Sequence, residues 1–81
     1  MPTTAIDGGD VTDDGILLAE VMVRCGLAKS RGEAKRLIDQ GGVSVNGEKV
    51  SDQFMMLTRQ QLSDSVKIQK GKKVFHKAVL G

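Results

Sequence analysis

Tryptophan and tyrosine are missing from this chain, and Phe54 and Phe75 are its only aromatic residues. A core without aromatic bulk has to be assembled from Val, Leu, Ile, Ala and Met. The shortage also argues against a platform for single-stranded bases, which uses several exposed aromatic faces. Cysteine is as scarce. Cys25 stands alone, which excludes an internal disulfide and a cysteine-rich metal site and fits a reducing compartment. No apolar run approaches the roughly 18 residues of a membrane span, and the N-terminus lacks the basic start and apolar stretch of a secretory signal. The expectation is a soluble, cytoplasmic protein with no membrane contact. Enzymatic signatures are also missing: no Gly-x-Gly-x-x-Gly, no P-loop and no Gly-x-Ser-x-Gly elbow. No catalytic residue, metal or cofactor is expected, and the chain reads as one that binds.

Basic residues are missing from the first part. Met1 to Val23 holds five acids (Asp7, Asp10, Asp13, Asp14, Glu20) and no Lys or Arg. Arg24 to Gly81 holds twelve bases against five acids, a net +7, so the overall +2 hides an acidic start and a basic body. That asymmetry points to a polyanionic partner more strongly than the total does. The length of 81 residues makes one domain, with stability of about 3–5 kcal/mol from a single small core. Residues 1–13, rich in Thr, Asp and Gly, read as a flexible acidic leader or interdomain linker, and residues 14–81 as the domain proper.

Within the domain, Leu17 with Val21, and Leu18 with Met22 and Cys25, give a helical stripe over Ile16–Cys25. Asp13 or Asp14 is placed to cap it, and Gly26 to end it. Cys25 at its end reads as a buried small apolar residue. Ser30-x-x-Glu33 matches a capping box ahead of Ala34, Leu37 and Ile38, and Gly41-Gly42 stops that second helix. Val43 and Val45 then alternate up to Asn46-Gly47, the turn dipeptide of a tight hairpin returning to Val50. Phe54 to Leu57 reads as apolar and packed, and Thr58-x-x-Gln61 as the cap of a helical turn near Leu62. A second hairpin follows: Val66 to Gln69, a turn at Lys70-Gly71-Lys72, and a strand from Val74 to Leu80. Two helices and two hairpins make an α+β fold, a helix pair packed against a small, mostly antiparallel sheet.

Function is carried by two basic segments. The second helix presents Arg31, Lys35 and Arg36 against Glu33 and Asp39, and Lys67 to Lys77 holds five lysines and no acid. Joined beside one sheet, they make a positive surface, and four to six phosphate contacts give a salt slope of about 3 to 5. Plainer explanations compete: basic helix faces are often just solvated, and turn lysines guard edge strands from aggregation. Asn46 is required by its turn, yet its amide sits at an exposed tip. His76, the only histidine, has no companion ligands at metal spacing and reads as a surface strand residue in reach of RNA.

The run GLAKSRGEAKRLIDQGGVSVNG, with Ser30-Arg31, Ala34, Lys35-Arg36, Ile38, Gly41-Gly42, Val43, Val45 and Asn46-Gly47, resembles the RNA-binding domain of ribosomal protein S-four, the alpha-L motif. The ending KIQKGKKVFHKAVL resembles the close of the C-terminal domain of bacterial-type tyrosyl-tRNA synthetases. The resemblance spans Gly15 to Leu80 and implies the ribosomal protein S-four-like fold. It implies a module that grips tyrosine tRNA at the anticodon stem and variable arm, for aminoacylation by a catalytic domain absent from this chain. Carried over by position, it implies RNA contacts from Lys29, Ser30, Arg31, Lys35, Arg36, Gln40, Asn46 and Lys49, and from Lys70, Lys72, Lys73 and His76. The partners are then tRNA and the parent synthetase's catalytic domain, with the isolated domain monomeric. The alternatives are a free-standing relative acting on ribosomal RNA, and a protein-interaction module meeting an acidic partner.

Overall fold

The computed structural model describes residues 2–81; Met1, the first residue of the expected leader, lies outside the described residues. Along the chain run β1 (Thr3–Ile6), β2 (Ile16–Leu17), α1 (Leu18–Arg24), α2 (Arg31–Asp39), β3 (Val43–Val45), β4 (Glu48–Val50), β5 (Met56–Leu57), α3 (Arg59–Ser63), β6 (Val66–Lys70) and β7 (Val74–Leu80). Five strands form one sheet in the order β1-β7-β6-β3-β4. Only the β1–β7 pair is parallel; the others are antiparallel. A two-strand ribbon, β2 with β5, stands apart. This is the expected α+β arrangement.

Local chemistry explains most of these elements. The Ser30 hydroxyl accepts the Glu33 N–H at 3.2 Å, and the Glu33 carboxylate reaches back to the Lys29 N–H at 3.1 Å. The capping box therefore closes one residue earlier than expected. Gly26 and Gly41 take positive φ just past α1 and α2, where an L side chain is strained. Asn46 and Gly47, at φ 52° and 88°, make the β3–β4 turn. At α3, Thr58 and Gln61 form a complete capping box. Alternation then sorts the sheet into two faces. Ile6, Val43, Val45, Val66, Ile68, His76 and Ala78 point inward onto Leu18, Val21, Met22, Ala34, Ile38, Leu57 and Leu62. Among the described residues no helix covers the other face of β6 and β7, which carries Lys67, Gln69, Phe75 and Lys77.

Three expectations are corrected. The leader is not loose: Thr3 to Ile6 pairs with Lys77 to Leu80, and Ile6 is fully buried. Backbone pairing supplies what its sparse apolar content does not. Neither Asp13 nor Asp14 caps α1. Ile16 and Leu17 are strand residues, and the Leu18 N–H donates to the Met55 carbonyl at 2.9 Å instead. Phe54 is not packed but 63% exposed. The Asp52 side chain accepts the Phe54 N–H at 2.9 Å, and that turn throws the ring outward.

Candidate nucleic-acid interface

The two basic segments meet at the end of α2. The Gly71 N–H donates to the Gly42 carbonyl at 2.7 Å, and Lys70 pairs with Val43. The β6–β7 loop, Gly71 to Lys73, is thereby fixed against the Gly41-Gly42 stop. Lys49 reaches the same corner, its stem so close to Gly41 that a Cβ there would overlap its Cε. Arg36 and Gln40 lie one turn apart on α2 and lead into the corner. Gln40, Lys49, Lys72 and Lys73 are exposed, Lys70 is half-buried, and Arg36 is exposed one turn back. None of these cations has an ion-pair partner among the described residues. Asp39 is the nearby acid in sequence and is also exposed. The C-terminal end of α2 brings its own partial negative charge, so these cations converge where the helix end favours them.

The other expected contacts are placed elsewhere. Lys29, Ser30 and Arg31 sit at the opposite end of α2, about 13 Å away by helical rise. Ser30 is occupied as the cap, and the Arg31 guanidinium pairs with Glu20 at 3.5 Å. Glu20 also holds Arg24 at 3.3 Å, and Asp10 holds the same guanidinium at 2.6 Å. Lys35 is half-buried with its Nζ 5.4 Å from the Phe54 ring centre, a cation–π distance. Asn46 sits at the far end of β3, where its Oδ1 accepts the Lys67 N–H at 2.9 Å.

His76 is corrected outright. It is a buried residue on the inner face, with Nε2 2.7 Å from the Thr4 hydroxyl. Burial pushes the nearby Cys25 thiol above its ordinary range, with a hydrogen bond to Thr4 acting the other way. A thiol held protonated is no activated nucleophile. No cluster of metal-ligating side chains occurs among the described residues, and no helix there is long and apolar enough to cross a membrane.

Lys67, Lys77 and Phe75 share the open sheet face and were not among the expected contacts. Their odd-numbered alternation from Lys67 and from Phe75 is the signal that would have grouped them. Both phenylalanines are exposed, and each has a lysine over its ring: Lys35 on Phe54, and Lys67 on Phe75 at 5.8 Å. The chain's two large aromatic side chains are therefore both at the surface.

The family model described as "Tyrosine--tRNA ligase SYY-like C-terminal domain" matches residues 1–78. Curated tyrosine–tRNA ligases align with 99% of this chain: that of Clostridium botulinum at 40% identity, of Deinococcus radiodurans at 37%, and of Acetivibrio thermocellus at 36%. The chain spans about one fifth of the length of these relatives, 19% to 20%.

Proposed function

This chain belongs to the family of tyrosine–tRNA ligase C-terminal domains, and on that premise we propose that it is the module by which a cytoplasmic synthetase holds tyrosine tRNA. The supporting observation is the corner at Gly41-Gly42, which β4 with Lys49, β6 with Lys70 and the β6–β7 loop with Lys72 and Lys73 reach, Arg36 standing one turn back on α2, all without ion-pair partners among the described residues. Five cations around one loop suit consecutive phosphates of a structured RNA. Contact through backbone and shape fits A-form RNA, whose base edges lie in a deep major groove. The aminoacylation chemistry belongs to a catalytic domain that this module serves as an appended grip.

Lys29, Ser30, Arg31 and Lys35 form the outer margin of that surface rather than its centre. Asn46 lies beyond it, and buried His76 takes no part. A chemical-shift titration of the 81-residue domain tests the reading. Tyrosine tRNA shifts the amides of Gly41, Gly42 and Lys70 to Lys73 first, and a control tRNA does so more weakly. Uniform small shifts, or none at physiological salt, overturn it.

A further inference from the structure

The open face of β6 and β7 carries a feature that the corner at Gly41-Gly42 does not explain. Lys67 and Lys77 are direct cross-strand partners. Like charges placed so oppose each other across a sheet. Lys67 Nζ lies 5.8 Å from the ring centre of Phe75, its diagonal neighbour on the same face. Pairing extends this row on both sides. Thr3 is opposite Lys77 on β1, and Asn46 bonds Lys67 through both its backbone N–H and its Oδ1. With Ser65, these four residues line a depression of about 450 Å³ that no carboxylate borders. Because Asn46 Oδ1 is held by the Lys67 N–H, the amide NH2 remains as a donor. Two lysines, an asparagine amide and a threonine hydroxyl thus border it, side chains that can donate to a tetrahedral oxyanion.

We propose that the Lys67–Lys77 row, with Asn46 and Thr3, binds a backbone phosphate of the RNA, as a second contact on the open sheet face. This inference rests on the RNA-binding reading above and extends it. Lys67 lies four residues before Gly71, where the loop begins, about 13 Å by strand rise. The phosphate track thus runs from the Gly71–Lys73 loop along β6–β7, past exposed Phe75, and ends in this depression. An anion there removes the repulsion between the two lysines, so the pairing that weakens the empty domain strengthens the complex.

The test is the salt dependence of tyrosine tRNA binding by the 81-residue chain and by Lys67→Met/Lys77→Met. Methionine keeps an unbranched stem and removes both charges. The expected result is a several-fold weaker complex with the salt slope reduced by about 1, as for one lost phosphate, and thermal stability equal to or above the parent. Lys67→Arg/Lys77→Arg, which keeps the charges, retains the slope. A parent domain that binds with an unchanged slope in the Met variant overturns the sheet-face site alone. A parent domain that binds no RNA overturns the RNA reading and this site with it.

Discussion

At Gly15 the backbone takes φ +104°, and a Cβ built there would run into the carbonyl oxygen of Leu57. The β2–β5 ribbon closes only because that atom is missing. Gly15→Ala should lower unfolding free energy by about 2–3 kcal/mol, combining overpacking with a left-handed backbone. Urea denaturation will show it as a lower midpoint at unchanged slope. Cys25 gives a pH signature. Burial raises its folded pKa, so its contribution is full below the unfolded thiol value, about 8.5, and is lost as pH rises toward the folded value. Stability measured between pH 7 and 10 should fall more steeply for the parent than for Cys25→Ala; parallel curves would contradict this. Iodoacetamide should likewise react slowly at pH 7. Neither residue announces its role in the sequence. Gly15 is one glycine among ten, and the thiol's surroundings depend on Thr4, which approaches from a distant strand.

Among the elements, β1 has the most to lose from one substitution. Its Thr4 hydroxyl is 2.7 Å from Nε2 of buried His76. Thr4→Val keeps the shape and leaves a ring nitrogen without its partner, at a cost of about 1–3 kcal/mol. A thermal melt should show the loss, while tyrosine tRNA binding at low temperature stays near the parent's. The contrast between β1 and the β3–β4 hairpin shows what a sequence makes legible. Asn46-Gly47 and the Ser30 cap act within a few residues, so their chemistry is written locally and read correctly. Strand β1 is Thr-Thr-Ala-Ile and pairs in parallel with residues more than seventy positions away. No local pattern encodes that pairing. His76 reads as a surface residue because nothing local shows β1, whose Thr4 hydroxyl lies against its ring. Phe54 went the other way: an apolar run implied burial, and one Asp52 side chain turned the ring out.

Over the whole molecule, charge is sorted by pairing rather than by sequence position. Asp10 and Glu20, from the acidic start, neutralise Arg24 and Arg31 near the beginning of α2. Of the cations without ion pairs among the described residues, Arg36, Lys49, Lys70, Lys72 and Lys73 lie toward the other end of α2 and Lys67 and Lys77 on β6–β7, while Lys29, Lys35 and Arg59 stand apart from them. The basic corner was legible in part, since the two lysine- and arginine-bearing segments were identified, but their contact through Gly42 and Gly71 is a matter of tertiary pairing. If this corner holds RNA through phosphates, its cations set the salt slope of binding. Tyrosine tRNA affinity of the parent and of Arg36→Ala/Lys72→Ala/Lys73→Ala should be followed from low to physiological salt. All three side chains are exposed, so the variant should fold as the parent does. Weaker binding is expected, with the slope reduced by about 2 to 3. An unchanged slope and affinity in the folded variant would contradict phosphate binding at this corner.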